Sequence, residues 1–161
     1  MSVSYPVASD HQLARLLQIG MVLEEVVEAR ASKQFEGLAP EETDAEIEAL
    51  LEEAAEESAE HRERLAGLVD ELEGDRVAYE TIEELVAARY EADADTDGVL
   101  YDQLANEETA YKFYDDLVSA IEESDVRFSI DRDRLLDTLR GIRAEEEEGV
   151  ERVTRLMEER E

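Results

Sequence analysis

The chain has 161 residues, no cysteine, and 46 acidic against 16 basic residues, which leaves a formal charge of -30. This length suits one domain with a buried core. The lack of thiols excludes disulfides and thiolate metal sites, and the negative charge excludes nucleic acid as a partner, because binding phosphate requires cations. Hydrophobic residues make up 43%, whereas glycine (7) and proline (2) are scarce, a balance that favours long helices.

The excess of carboxylates is typical of a protein from concentrated salt. Self-repulsion of this size is tolerated where salt screens it, so we expect a halophilic protein. An acidic disordered chain is the alternative, and the apolar periodicity described below argues against it. The sequence has neither an N-terminal targeting pattern nor a run of about 18 apolar residues. It therefore predicts a cytoplasmic protein with no membrane segment.

The first half of the chain predicts a helical hairpin over about 9–73. The first helix starts at Ser9 or Asp10, both good N-caps. It runs to about Phe35, which lies on the same apolar stripe as the leucines and valines before it. The second helix follows Pro40 and carries its own apolar stripe to the end of the hairpin.

The second half predicts another hairpin over about 99–160, with helices that start near Val99 and Asp131. A crossover over about 74–98, which contains a short helix, joins the two hairpins. Such a long connection allows the second and third helices to run parallel. The expected fold is therefore all-α, a single domain over 1–161 built as a four-helix bundle of two hairpins.

Several acidic residues fall on the apolar faces of these helices, where each residue turns by about 100°. Glu24 lies within about 20° of the centre of the first stripe, and Glu28 about 60° from it. Glu107 and Glu146 lie within about 20° of the centres of the third and fourth stripes, and His61 about 40° from that of the second. Any one Glu could be a marginal surface residue in so acidic a chain. Together they place an inward Glu or His at mid-length in every helix, where bundles build metal sites.

The two hairpins also share an internal repeat. Residues 28–38 and 107–117 both read Glu-x-x-Ala-x-Lys-x-aromatic-acidic-x-Leu. Residues 61–68 align in the same way with 149–156, which puts Gly149 where the first half has His61.

This repeated pattern resembles the ferritin-like superfamily, and rubrerythrin-type proteins most closely, over about 10–158. The resemblance implies that each half supplies a Glu from its first helix and a Glu-x-x-His pair from its second. Glu28 and Glu107 match the first element. His61 and Glu146 each match one member of the second. The resemblance thus implies a metal site made of these four residues.

Two of the six ligands expected from this resemblance are missing. Ser58 stands where the first pair should have Glu, and Gly149 stands where the second pair should have His. Three further carboxylates are candidate substitutes for the missing ligands: Glu24, Glu57 and Glu145. The ligand set therefore departs from that of a standard di-iron site.

The resemblance implies iron or manganese and reaction with dioxygen or peroxide. The function expected is a non-haem oxidoreductase, di-iron or mono-metal, or a protein of iron handling, with an unknown redox partner. Tyr111 and Tyr114 would lie near the site, either as partners of a ligand carboxylate, as carriers of an oxidising equivalent, or simply as core tyrosines. The alternative is a metal-free ferritin-like protein with a structural or interaction role.

The first helix offers a surface for association. Ile19, Val22 and Val26 form an apolar flank outside its main stripe. Such a flank can support a dimer, so the sequence predicts a homodimer.

Overall fold

The computed structural model describes residues 7–37, 44–73, 80–84 and 98–160. These residues contain helices and no strand, so the predicted all-α class is confirmed. The four long helices are α1 (Asp10–Glu36), α2 (Ala45–Glu71), α3 (Val99–Glu123) and α4 (Arg132–Glu159). Residues 80–84, within the predicted crossover, are also helical. Among the described helices, none is long and apolar enough to cross a membrane.

Three of the four helices begin at a side-chain cap. Ser9 accepts a hydrogen bond from the backbone of α1, Asp44 from that of α2, and Asp131 from that of α4. Each cap satisfies one of the amide groups that a helix leaves unpaired at its start. α3 instead follows Gly98, whose φ of 130° is one that glycine adopts without strain. The predicted starts at Ser9, near Val99 and near Asp131 are confirmed.

Hydrogen bonds at one end of the molecule establish the helix directions. Ser129, just before α4, donates from its backbone N–H to Asp10 at 3.0 Å and accepts from the N–H of Glu73, just after α2, at 3.0 Å. Ser124, just after α3, donates to the carbonyl of Val7 at 2.6 Å. The N-termini of α1 and α4 therefore meet the C-termini of α2 and α3. Consequently α2 and α3 run in the same direction, opposite to α1 and α4.

The apolar core is divided along the helix axes. The larger cluster fills the end where α1 starts, and all four helices contribute to it, for example through Leu17, Leu65, Leu117 and Leu139. Smaller clusters fill the other end, around Ala31, Ile47, Leu51, Ala54, Leu50, Val153 and Leu156. The buried polar residues of mid-helix lie between these apolar regions. We call this level the polar layer.

Part of the crossover covers the outer flank of α1. Ile82 is 2% exposed and packs on Val22, which is fully buried, with Ile19 and Val26 partly buried beside them. The flank from which the homodimer was predicted is thus occupied by the chain's own segment 80–84. The rest of the predicted crossover, apart from Gly98, lies outside the described residues.

Candidate metal site

All four helices contribute to the polar layer. Its members are Glu24 of α1, Glu57, Ser58 and His61 of α2, Gln103 and Glu107 of α3, and Glu146 and Gly149 of α4. Apart from Glu57, which is half-buried, every one of them is buried. Spacings of three and four residues within α2, α3 and α4 keep members of one helix on the same face.

The first ligand group joins α1, α2 and α4. Glu24, His61 and Glu146 each offer one ligand atom, and these atoms all lie within 4.8 Å of one another. Nδ1 of His61 lies 3.0 Å from Oε1 of Glu146 and 3.4 Å from Oε1 of Glu24. Glu24 and His61 are fully buried and Glu146 is 3% exposed. Glutamate and histidine side chains are rarely buried so completely unless they pair with another group or bind a metal.

Tyr114 orients the first group from α3. Its hydroxyl donates to Oε1 of Glu24 at 2.7 Å. The ring is fully buried and packs edge-on against Phe113, with the ring centroids 5.3 Å apart. Because the ring cannot move freely, the hydroxyl holds the Glu24 carboxylate in one orientation. Tyr111, the other tyrosine singled out from the sequence, is only half-buried.

The second ligand group joins α2, α3 and α4. Ligand atoms of Glu57, Glu107 and Glu146 also lie within 4.8 Å of one another. Oε1 of Glu107 accepts a hydrogen bond from Nε2 of Gln103 at 2.9 Å. Glu146 belongs to both groups, so a single carboxylate links them.

Gly149 provides the space that Glu107 occupies. A Cβ atom on Gly149 would lie 2.5 Å from Oε2 and 2.7 Å from Cδ of Glu107, closer than real Cβ contacts. Any side chain at position 149, including the His that the family resemblance leads one to expect, would require the Glu107 carboxylate to move. The missing His and the position of Glu107 are therefore one structural feature.

Glu28 and Glu145 lie at the edge of the site. Oε2 of Glu28 is 2.9 Å from Nη1 of Arg62, and its side chain is 30% exposed. Glu28 belongs to neither ligand group, and Glu24, one helical turn earlier, lies in the site instead. Oε2 of Glu145 is 3.6 Å from Nε2 of His61, too long for a hydrogen bond, and it accepts from Arg64 at 2.6 Å.

Burial and crowding of carboxylates shift the protonation of the site. Burial raises the pKa of Glu146 well above its usual value, and the charges of Glu24 and Glu107 raise it further. Burial also raises the pKa of Glu57 to about 7. Burial by itself lowers the pKa of His61, but its hydrogen bond to Glu24 and the charges of Glu24, Glu57 and Glu145 outweigh this and raise it. At neutral pH the metal-free site therefore retains protons.

Three polar atoms of the layer lack a hydrogen-bond partner. They are Oε2 of Glu24, Nε2 of His61 and Oε1 of Gln103, all buried. A buried polar atom without a partner costs about 1–3 kcal/mol. A cation would satisfy the Glu24 oxygen directly, and a neutral imidazole nitrogen is a common metal ligand. The residues present thus fit a bound metal ion.

Comparison with known protein families, with curated proteins and with solved structures finds no match to this chain. These comparisons therefore assign no family. What is established is an all-helical protein with a buried Glu/His cluster able to hold a metal ion. Inferences about function depend on the geometry of that cluster.

Proposed function

We propose that this protein binds two metal ions, iron or manganese, in a ferritin-like four-helix bundle, and that it acts as a non-haem oxidoreductase or in iron handling. One observation carries the proposal. Two three-residue ligand groups share the carboxylate of Glu146 in a layer that has apolar clusters on both sides along the helix axes. A carboxylate shared between two ligand sets is the arrangement a bridged pair of ions requires.

The donor atoms favour these metals. The two groups together offer carboxylates from Glu24, Glu57, Glu107 and Glu146, one imidazole from His61 and no thiolate. Carboxylate ligands suit manganese and other hard ions, and imidazole suits iron. The excess of oxygen ligands argues against copper(I), which prefers sulfur.

The ferritin-like arrangement has independent support. α2 and α3 run in the same direction, which a long crossover between two hairpins allows. The internal repeat relates one hairpin to the other. Each of the four helices supplies at least one member of the two ligand groups, as in bundles that hold paired metals.

The ligand residues and the apolar clusters would have different roles in this function. Glu24, His61 and Glu146 would hold one ion, and Glu57 and Glu107 would hold the other together with Glu146. Bound iron or manganese would supply electron transfer with dioxygen or peroxide. The apolar clusters on both sides limit the entry of water along the helix axes. Because ligand carboxylates must be ionised, metal binding would release the protons held by Glu57 and Glu146.

Metal analysis with three variants tests the proposal. The protein is purified in about 2 M KCl to screen its charge, and bound iron, manganese and zinc are measured before and after reloading of the metal-free form. We expect about two equivalents in the unaltered protein, and a loss of at least one in both His61→Ala and Glu107→Ala. His11→Ala is the matched control, because His11 is exposed and pairs with Arg15, and it should bind metal normally.

The possible outcomes separate the candidate functions. Substoichiometric metal that neither site variant changes would contradict metal binding and leave a metal-free structural or interaction role. One equivalent, lost in both site variants, would indicate a single-metal site. Circular dichroism on every variant establishes that a loss of metal is not a loss of the helices.

A further inference from the structure

The two ligand groups do not offer the same donors. Glu24, His61 and Glu146 provide two carboxylates and one imidazole, whereas Glu57, Glu107 and Glu146 provide three carboxylates. We propose that the two positions select different divalent ions and that Gly149 sets the difference. The His61 position takes a borderline ion such as ferrous iron or zinc, and the all-carboxylate position takes a harder ion such as manganese(II). This inference rests on the proposed metal-binding function and adds selectivity to it.

The lack of a second imidazole follows from the sequence of α4. The repeat aligns Gly149 with His61, so α4 has no side chain at the point where α2 has its ligand. Oε2 of Glu107 lies 2.5 Å and Oε1 lies 3.1 Å from where a Cβ of residue 149 would be. The carboxylate of α3 has thus taken the volume of the absent side chain. The second position gains an oxygen donor where the repeat would put nitrogen.

Glu107 is held in this position from its other side as well. Nε2 of Gln103 donates to Oε1 of Glu107 at 2.9 Å. Gln103 is 1% exposed, and its own Oε1 has no hydrogen-bond partner. The amide of Gln103 therefore fixes the Glu107 carboxylate, and its own oxygen is a buried polar atom left without a partner. The orphaned Oε2 of Glu24 is the corresponding unsatisfied atom of the first group.

Zinc binds more tightly than manganese(II) at a given site of this kind, and the difference in donors makes that preference larger at the first position than at the second. Carboxylate and carbonyl oxygens suit magnesium, calcium and manganese, whereas imidazole suits zinc and iron. An ion at the second position meets three potential negative charges, and one at the first meets two together with a neutral ring. Zinc, which is inert to oxidation and reduction, is therefore the appropriate probe of the first position. Manganese(II) is the probe of the second.

Binding of these two probes in two glycine variants tests the proposal. Metal-free protein is loaded with one equivalent of zinc and then titrated with manganese(II). Calorimetry and the electron spin resonance signal of free manganese measure the binding. Gly149→Ala should displace Glu107 and weaken manganese binding at least about 10-fold, in the range seen when groups supporting a metal site are lost. Its zinc affinity should fall by less than its manganese affinity, because none of the three ligands of the His61 group is replaced and only the shared Glu146 contacts the altered group. Gly141→Ala is the matched control, since it lies in the same helix and its Cβ would meet nothing within 4 Å.

A second pair of variants does not depend on how α4 tolerates a new side chain. Glu57→Gln removes a carboxylate of the second group from a half-buried position and should weaken manganese but not zinc. His61→Ala should do the reverse. The selectivity is refuted if Gly149→Ala and Glu57→Gln both bind manganese as Gly141→Ala does, or if zinc and manganese compete equally for both positions. Either result leaves two bound metals and the proposed function intact, whereas failure of the unaltered protein to bind any metal removes both.

Discussion

Hairpin one (α1 and α2) and hairpin two (α3 and α4) place unlike residues at equivalent positions of the polar layer. His61 in α2 corresponds to Gly149 in α4, and Ser58 in α2 corresponds to Glu146 in α4. α2 therefore has only the His, and α4 only the Glu, of the Glu-x-x-His pair that the ferritin-like resemblance leads one to expect. The two halves complement each other, because the space left by Gly149 receives a carboxylate from α3.

The glutamates that α1 and α3 contribute to the ligand groups lie one helical turn apart in the repeat. α1 contributes Glu24, whose counterpart in the repeat is Gln103, while α3 contributes Glu107, whose counterpart is Glu28. Four residues correspond to about 6 Å along a helix. The two helices thus meet the layer at different points of the repeat. A duplicated sequence need not produce a symmetric site.

The largest expected effect tests this offset. Glu24→Gln should lower the affinity of the His61 position for zinc by at least about 100-fold, because even supporting groups of metal sites are worth about 10- to 100-fold. Glu28→Gln should change it by less than about 3-fold, since Glu28 faces Arg62 rather than the ligand groups. Calorimetry in constant high salt measures both. A stronger effect from Glu28→Gln than from Glu24→Gln would restore the symmetric arrangement that the repeat predicts.

A smaller effect concerns the aromatic residues of the repeat, Tyr114 and Phe35. Tyr114→Phe removes the hydrogen bond to Glu24 and should destabilise the metal-free protein by about 1–2 kcal/mol. Phe35→Ala, at a side chain that is 40% exposed, should cost less, about 1 kcal/mol or below. Urea unfolding at constant salt compares the two. No loss of stability in Tyr114→Phe would mean that the tyrosine hydroxyl contributes nothing beyond its ring.

The smallest expected effect is the pH dependence of the metal-free protein. The pKa values of Glu57, Glu146 and His61 are all raised in the folded state, so the folded protein binds protons more tightly than the unfolded chain. This contribution to stability is complete below the unfolded pKa values, and it is lost as pH rises through the folded ones. For Glu57 the window runs from its ordinary value of 4.5 to about 7.

The melting temperature in EDTA and constant high salt should therefore fall by a few degrees between about pH 5 and pH 8. Glu57→Gln should have a shallower slope, because one of the titrating groups is gone. Added metal should reverse the trend, since it binds the ionised ligands. A slope that Glu57→Gln leaves unchanged would mean that Glu57 titrates alike in the folded and unfolded states.

Helical phase predicted the inward residues better than motif alignment did. Counting about 100° per residue placed Glu24 closer to the centre of the first apolar stripe than Glu28, and Glu24 is the one that is fully buried. The family motif selected Glu28 because alignment compares spacing within one helix. It carries no information on how far one helix has slid along another. Tertiary packing determines that displacement, so the repeat could not reveal it.

A pattern within one helix also fails to predict which of its apolar side chains are exposed. Phe35 continues the apolar stripe of α1, yet it is 40% exposed, because a stripe does not specify where a helix leaves the core. The sequence places Val22 on an outer flank of α1 that could contact a partner chain, and the structure covers it with Ile82. A pattern within α1 cannot indicate that a segment some 60 residues later in the chain packs on it.

Some features of the polar layer follow from the sequence of single helices, and others follow from the way the helices pack. The sequence by itself determined that the protein is all-helical, where most helices begin, and that Glu24, His61, Glu107 and Glu146 point inward, because side-chain periodicity and capping act within single helices. Only the tertiary structure decided that Glu24 and not Glu28 lies in a ligand group, that Glu146 belongs to two groups, and that Glu107 fills the space which a side chain at position 149 would need. These features depend on distances between helices, which arise when four apolar stripes pack into one core.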